Sequence, residues 1–403
     1  MKERGWTSGG WPFVLAVFVA SRLYYLVAGA LLVGVMPPGP TQLLSADSPF
    51  GTMSIWSHYD GEHYVTAALH GYLVGGHPAG ASPAFFPLYP LLVRLAAELL
   101  GGPLSVHALS AVATVVSLAA LPFALWFVYR IAEELYAAPA ARAATLALAF
   151  FPTAFFLNAA YTESMFLALS AGTVWAARVR RNLLLACLFA GLATATRNVG
   201  VFLLIPLAAC WWRDRATLGA RGASYLALAP SGLVAYSIFL WFQSGNPLLF
   251  VQEQAKWGRS YGGVTGSLVG AVAAAAGNVH TLLKPGVYRP FGVGRLLIVL
   301  GGTNYLLNLV CLMFAFALVA VAATRLPLDL TLYAAALVLT TAFFGTKENP
   351  LMGLPRYVLA AFPLFVALGT LLKDRRLQVA WVAGSALLSL PLVALFVNWY
   401  FVS

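Results

Sequence analysis

A short polar tract in a mostly apolar chain holds the residue whose type best suits acid–base chemistry. Asp60 lies in IWSHYDGEHYVTAALHGY (55–72), with aromatic residues on both sides. A carboxylate held against an apolar wall has a raised pKa and can accept a proton near neutral pH, as a general base does. The alternative is that Asp60 only caps a short amphipathic helix, because the residues after it repeat at helical spacing. Those residues are Tyr64, Ala67, Ala68 and Tyr72.

Four more polar sites lie further along the chain, next to or between apolar stretches. They are Glu163, Arg197, the run QEQAKWGR (252–259) and Arg356. Ionisable residues at membrane depth are costly and mark functional sites by default. We therefore predict that these sites meet Asp60 in one pocket, against the alternative that outer loops simply contain polar residues. A structural ion pair explains Glu163 and Arg197 as well as substrate contact does.

The composition indicates what kind of molecule positions these residues. The chain has 403 residues, of which 61% are hydrophobic and only 9% are charged. Because a soluble chain is usually about 25% charged, this composition predicts a single-domain (1–403), all-helical, multi-pass membrane protein. The net charge of +11 is explained by basic cytoplasmic loops rather than by nucleic-acid binding.

The residue pattern gives little support to metal or redox chemistry. The three cysteines lie in apolar stretches without ligand spacing, and we predict that they are core residues. They are Cys187, Cys210 and Cys311. Four histidines lie near Asp60 (His58, His63, His70 and His77), but no His-x3-His pair occurs. We therefore predict no metal site and no cofactor.

The apolar stretches predict eleven transmembrane spans. They are 11–34, 105–129, 142–158, 164–178, 183–198, 199–212, 222–243, 296–323, 328–344, 356–372 and 378–401. The shorter stretch 84–101 carries Arg94 and Glu98 and is predicted to lie at the membrane surface. With that choice the N-terminus and the basic clusters of the short loops are cytoplasmic, as the positive-inside rule requires. The stretches 35–104 and 244–295 then form the first and second outer loops.

Five sequence blocks resemble the PIG-V-type mannosyltransferases, which add the second mannose of the GPI anchor, and their bacterial relatives. The blocks are YDGEHYVTAALHGY with AFFPLYPLLVRL (59–95), FFPTAFFLNAAYTESMFLALS (150–170), ATRNVGVFLL (195–204), NPLLFVQEQAKWGR (246–259) and LPRYVLAAFPLF (354–365). Each block is weak alone, but together and in this order they are specific. This chain has Tyr59 where the family usually has a tryptophan before its aspartate.

The resemblance implies a GT-C glycosyltransferase fold and a sugar donor carried on a polyprenyl phosphate. Asp60 matches the family's first-loop aspartate and is the expected catalytic base. The expected cations for the donor phosphate are Arg356, Arg259, Lys256 and Arg197. The expected substrate contacts are Glu62, Tyr161, Glu163, Gln252, Gln254 and Trp257. A single base opposite a leaving phosphate predicts inversion, from a β-linked donor to an α-linked product.

Several of these roles have simpler alternatives. Arg356 at the end of a span is also explained by snorkelling toward the interface. The run that holds Gln252, Gln254 and Trp257 is also explained as an ordinary amphipathic interfacial segment. Glu62 is equally consistent with a position that faces solvent.

The function we predict is transfer of mannose, at the outer face of the cell membrane, from polyprenyl-phosphate-mannose to a glycolipid or another glycoconjugate. One rival is a transporter or flippase of lipid-linked sugars. Transporters tend toward repeated halves with matching broken helices, and this sequence has no convincing repeat. The other rival is a GT-C enzyme that uses another sugar or a protein acceptor, which the sequence does not separate from the first function.

Overall fold

The computed structural model describes residues 10–37, 39, 54–73, 80–102, 104–256, 263–283, 304–344 and 350–402. Within these residues the regular structure is helical, apart from an isolated bridge between Tyr72 and Ala81. The α-helices are α1 (Trp11–Leu32), α2 (Asp60–His70), α3 (Leu88–Leu99), α4 (Val106–Ala149), α5 (Glu163–Arg178), α6 (Leu183–Thr194), α7 (Leu204–Arg213), α8 (Arg215–Tyr225), α9 (Ser231–Ser244), α10 (Leu249–Lys256), α11 (Gly263–Leu283), α12 (Asn304–Arg325), α13 (Leu328–Phe343), α14 (Leu354–Ala360), α15 (Phe362–Gly369) and α16 (Arg375–Val397). Three 3-10 helices occupy Ala154–Leu157, Asn198–Leu203 and Leu226–Leu228. The prediction of an all-helical chain is confirmed.

Long apolar helices support the prediction of a membrane protein. In the described part of the chain, α1, α4, α12 and α16 are each long and apolar enough to cross a bilayer. The segment Arg215–Leu228 and helix α9 form a further candidate, bent by 43°. The single helix α4 contains most of the predicted span 105–129 and the first part of the predicted span 142–158, and it is interrupted at Ala137, where φ is 69°. Pro139 follows that break and cannot donate a helical hydrogen bond, so the interruption has a local cause.

The segment predicted to lie at the membrane surface forms the short helix α3. Its 12 residues span about 18 Å, well short of the roughly 30 Å hydrocarbon core of a bilayer. One face buries Tyr89, Val93 and Ala97, while Leu91 and Leu99 on the other face are exposed. This two-sided character fits an interfacial helix.

The helix predicted after the polar tract is α2, and it begins at Asp60. Tyr64, Ala67 and Ala68 form its buried face, as the helical spacing predicted. The Tyr64 ring packs on Tyr89 of α3 with centroids 5.2 Å apart. Helix α2 is therefore fixed between α3 and the rest of the bundle.

A buried arginine in α1 fixes the chain that leads from α4 to α5. The Arg22 guanidinium donates to the carbonyl oxygens of Ala149 (2.7 Å) and Ala154 (3.0 Å) and to Asn158 Oδ1 (2.6 Å). Ala149 is the last residue of α4, where carbonyl oxygens lack helical partners, and Ala154 and Asn158 lie in the chain that follows. Arg22 thereby helps to set the position at which α5 begins.

The predicted second outer loop contains a helix of 21 residues, α11, which packs against α12 and α13. Glycine and alanine lower the hydropathy of its sequence without preventing helix formation. The three cysteines are buried free thiols, so the prediction that they are core residues is confirmed.

Candidate active site

Asp60 is the first residue of α2, and its side chain does not cap the helix. The N-cap residue is Tyr59, whose φ of 59° and ψ of −114° are strained for a residue other than glycine. The Asp60 side chain instead accepts a hydrogen bond at Oδ2 from Arg356 Nη1, at 2.6 Å. The capping alternative is therefore not the arrangement in the structure.

Arg356 lies near the start of α14 and points into the protein. Its side chain is only 10% exposed, which excludes snorkelling as the explanation for its position. The guanidinium carbon lies over the rings of Tyr161 (5.1 Å to the centroid) and Phe156 (5.7 Å). Its Nη1 atom is also 3.9 Å from Glu163 Oε1, so Arg356 stands between two carboxylates.

Glu163 and Arg197 form the ion pair that was one of the two alternatives from the sequence. Arg197 Nη1 donates to Glu163 Oε1 at 2.9 Å, and the Glu163 side chain is 3% exposed. The Arg197 guanidinium also covers the ring of Tyr357, 4.7 Å from its centroid. One carboxylate oxygen of Glu163 is thus shared by the two guanidinium groups.

Three of these four charged residues, Asp60, Arg197 and Arg356, line one cavity of about 220 Å³. It is lined by Asp60, Tyr64, Ala84, Phe85, Phe86, Thr196, Arg197, Asn198, Gln254, Met352, Arg356, Tyr357 and Phe401. The Asp60 side chain is 30% exposed, so the carboxylate is accessible from this space while the guanidinium beside it is nearly buried. The cavity therefore offers a carboxylate and two cations to a ligand, against a wall of aromatic rings.

Only some of the other residues predicted for the site lie at or near the cavity. Tyr161 lies behind Arg356, and its hydroxyl donates to the His58 carbonyl oxygen at 2.8 Å. Gln254 lines the cavity, whereas the exposed Gln252 accepts a hydrogen bond from Asn246 Nδ2. Lys256 is exposed and pairs with Glu253 at 2.6 Å. Trp257 and Arg259 lie outside the described residues.

Glu62 is partly buried and is not part of the cavity lining. Burial raises the pKa of its carboxyl to about 7. The protonated form is therefore stable at much higher pH than in an ordinary glutamate.

Several residues near the cavity were not predicted from the sequence. Thr196 and Asn198 flank Arg197 in the chain, so their places could have been inferred from it. Phe401 is brought in by the end of the chain, and no motif marks it. Glu253 is buried beside the cavity segment and accepts from Ser82, although the prediction chose its neighbours in the same run.

The histidines of this region are held by aromatic packing. The His58 ring stacks on Trp399 at 3.7 Å, its Nδ1 is 3.2 Å from the Phe396 carbonyl oxygen, and burial lowers its pKa to about 4. The His63 ring stacks on Phe85 with centroids 4.4 Å apart. In the described residues, no three His, Cys, Asp or Glu side chains are grouped so that they could hold a metal ion.

Two solved structures have a partly similar course of the chain. ArnT from Cupriavidus metallidurans, bound to undecaprenyl phosphate, is 15% identical with a TM-score of 0.49, over 94% of this chain and 63% of that one. The apo oligosaccharyltransferase of Archaeoglobus fulgidus is 14% identical with a TM-score of 0.46, over 99% and 57%. This chain thus spans less than two thirds of the length of either protein. No match was found among curated proteins.

A family model matches the part of the chain that carries three of the four charged residues grouped at the site. The model is described as Mannosyltransferase (PIG-V), and it matches residues 44–209, which include Asp60, Glu163 and Arg197. The blocks at 246–259 and 354–365 lie beyond that match. Over residues 44–209 the chain is therefore similar to the PIG-V-type mannosyltransferases, and the resemblance predicted from the sequence is confirmed there.

Proposed function

We propose that this protein is a membrane mannosyltransferase that uses a polyprenyl-phosphate-mannose donor. The observation that carries the proposal is the group of Asp60, Arg356 and Arg197 around one cavity at the ends of apolar helices. A carboxylate that can take a proton and two cations that can hold a phosphate are the groups that transfer from a sugar phosphate needs.

In the proposed reaction, Asp60 accepts the proton of the acceptor hydroxyl as that oxygen attacks C1 of the sugar. The new bond joins the acceptor oxygen to C1, and the bond from C1 to the phosphate oxygen breaks. The departing phosphate takes the bonding electron pair, and Arg356 and Arg197 stabilise its charge. Attack from the side opposite the phosphate gives inversion at C1.

An apolar groove beside the cavity supports a lipid-linked donor. The groove has a volume of about 640 Å³ and is lined by Ala67, His70, Gly71, Tyr72, Pro87, Leu88, Pro90, Leu91, Ala195, Gly232, Ala235, Tyr236, Phe239 and Gln243. Ala195 of the groove is two residues from Arg197 of the cavity. The Tyr236 ring of the groove packs on Phe86 of the cavity wall, with centroids 5.1 Å apart. We assign the groove to the donor's prenyl chain, since a chain lying there would place its phosphate near Arg197.

The charges at the two ends of α5 support an outward-facing site. Glu163 begins this helix and Arg178 ends it, about 24 Å away. The far end carries the cluster Arg178, Arg180 and Arg181, which the positive-inside rule places in the cytoplasm. The cavity end then faces outward, where the acceptor is a glycolipid or another glycoconjugate.

The packing of α5 favours an enzyme over a transporter. In this helix, the residues from Glu163 to Ala177 are buried apart from Leu169, which is partly buried. A transport path would need polar space along this length, whereas the helix is closely packed and most of its buried side chains are apolar, among them Phe166, Val174 and Trp175.

The proposal is tested with purified protein, polyprenyl-phosphate sugars and a membrane lipid extract, with product mass as the readout. We expect a hexose transferred from the mannose donor by the wild type and almost none by Asp60→Asn. Arg356→Ala should impair donor use far more than acceptor use. Substantial transfer by folded Asp60→Asn would remove Asp60 from the role of base.

A further inference from the structure

The proposed base and the proposed phosphate ligand are bound to each other in the structure. Asp60 Oδ2 and Arg356 Nη1 are 2.6 Å apart, in a site where Arg356 is 10% exposed. A carboxylate paired this closely with a guanidinium is a weak proton acceptor, since the cation favours its ionised form. A guanidinium in the same pair has fewer donors left for a phosphate. Without a donor, the site is therefore poorly suited both to taking the acceptor's proton and to binding the donor's phosphate.

The charges of the group balance without a ligand. Asp60 and Glu163 carry one negative charge each, and Arg197 and Arg356 carry one positive charge each. A phosphodiester donor adds one negative charge, so the site with bound donor has a net charge of one negative unit. The phosphate then competes with the carboxylates for the two guanidinium groups, and Asp60, whose side chain is 30% exposed, can turn away into the cavity more readily than Glu163, whose side chain is 3% exposed.

Arg356 has a second anionic partner close by. Its Nη1 atom is 3.9 Å from Glu163 Oε1, just beyond hydrogen-bond distance, and the same oxygen already accepts from Arg197. A guanidinium that leaves Asp60 thus remains beside a buried carboxylate and does not become an unpaired buried charge. Glu163 is a positioning residue in this arrangement, since it keeps the two cations next to each other.

We propose that the Asp60–Arg356 ion pair is a latch that the donor's phosphate opens. The phosphate replaces Asp60 as the partner of Arg356, and Asp60 becomes a competent base only after the donor is bound. The inference rests on the proposed function, because it takes a phosphate-bearing lipid as the ligand. It adds a fixed binding order, in which the acceptor hydroxyl binds Asp60 only after the donor's phosphate has taken Arg356, and Asp60 is not available as a base in the empty enzyme.

Binding of a sugar-free phosphodiester tests the latch without any transfer. The probe is undecaprenyl methyl phosphate, whose single negative charge is constant across the pH range used. We expect Asp60→Asn to bind it more tightly than the wild type by about fivefold or more, the lower end of usual coupling between sites. Equal or weaker binding by folded Asp60→Asn would overturn the latch.

The matched control breaks another buried ion pair. Arg178 and Asp329 are paired at the far end of α5, with side chains 14% and 11% exposed. Asp329→Asn should lower thermal stability and leave the probe's affinity unchanged. Tighter binding by this variant as well would show a general loosening of the protein and would count against the latch.

Wild-type kinetics provide a second test that does not depend on the folding of a variant. We expect compulsory order, with the probe competitive against the donor and no detectable acceptor binding until donor or probe is present. Random order would overturn the latch. If the wild type does not bind the probe at all, the proposed function fails; if it binds and Asp60→Asn binds no better, only the latch fails.

Discussion

At the scale of the residue, two buried arginines in this protein meet opposite kinds of partner. Arg22 donates to carbonyl oxygens and an amide oxygen, which are neutral groups of the protein's own backbone and core. Arg356 donates to a carboxylate that opens onto a cavity. A cation that binds neutral acceptors at a helix end is structural, whereas a cation facing an exchangeable anion is suited to binding a ligand.

Arg22→Met should destabilise the protein without lowering the rate of transfer by the folded molecules. The change leaves the carbonyl oxygens of Ala149 and Ala154 without this donor, at about 1–3 kcal/mol for each buried group left unpaired. Thermal unfolding in detergent measures the loss, and transfer per folded molecule should remain near the wild-type value. A large fall in the turnover of folded Arg22→Met would assign this residue to the reaction instead.

Glu163→Gln should be among the most destabilising single changes at the site. It leaves Arg197 without its carboxylate partner, and breaking a buried ion pair from one side costs roughly 3–5 kcal/mol. A melting temperature well below that of the wild type is the expected result. Glu163→Asp keeps the charge and should recover part of the loss; if the two variants melt alike, charge is not what Glu163 contributes.

Glu62 should make stability depend on pH. Burial raises its pKa from 4.5 to about 7, so the folded state binds more protons than the unfolded state between those values. The free energy of unfolding should therefore fall as the pH rises through this window and be level above it. Melting temperatures across that range measure the fall, and Glu62→Gln should flatten it. An unchanged slope in Glu62→Gln would attribute the pH dependence to another group.

The charged residues of the site were predictable because membrane depth makes charge expensive. Glu163 and Arg197 lie in short turns between apolar stretches, Asp60 lies in a short polar tract, and the structure brings these three residues together with Arg356. The run 252–259 was less predictable, since it consists largely of polar residues and sequence does not say which of them face inward. Arg22 has no neighbouring charge in the sequence, and two of its partners are backbone oxygens, which no side-chain pattern reveals.

At the scale of the element, the site uses the beginnings of two helices. Asp60 is the first residue of α2 and Glu163 is the first residue of α5. The partial positive charge of a helix N-terminus stabilises a carboxylate in its first turn. The two carboxylates thus gain support from their own helices as well as from the arginines, which helps to hold a dense group of charges inside an apolar protein.

A close crossing of α6 and α9 forms one wall of the groove. A β-carbon added at Gly232 would be 2.2 Å from the Gly191 carbonyl oxygen and 2.5 Å from the Ala195 nitrogen. Because both are backbone atoms, they cannot avoid the clash by a change of rotamer. Gly232→Ala should push α9 away from α6, lower the melting temperature and raise the KM for the donor.

The control for this crossing is Gly384→Ala in α16, where an added β-carbon meets nothing within 4 Å. That variant should be neutral or slightly stabilising, because alanine favours a helix over glycine by about 0.5–1 kcal/mol. An unaltered KM for the donor in folded Gly232→Ala would argue that the prenyl chain lies elsewhere.

The elements were predicted best where hydrophobic runs are uniform and least well where helices break. The amphipathic spacing after Asp60 predicted α2, and the distribution of basic loops predicted that 84–101 does not span the membrane, where the structure has the short helix α3. The predicted span 356–372 is instead divided into α14 and α15 at Ala361, two residues before Pro363. Proline explains such a break once it is seen, but several other prolines lie inside continuous helices, as Pro122 does in α4.

At the scale of the whole molecule, the distribution of charge suggests an orientation that can be measured. The cavity charges lie at one end of α5, and the Arg178–Asp329 pair lies at the other. If basic loops are cytoplasmic, Ser244 at the end of α9 faces outward and Thr324 at the end of α12 faces inward. Both side chains are exposed, and both change to cysteine with little change in size.

Labelling of intact cells with a membrane-impermeant maleimide distinguishes the two faces. We expect Ser244→Cys to react in intact cells and Thr324→Cys to react only after the membrane is permeabilised. The three native cysteines are buried, so the wild type should stay nearly unlabelled and serve as the background. The reverse pattern would place the cavity in the cytoplasm, where nucleotide sugars are made, and the argument for a lipid-carried donor would then lose its topological basis.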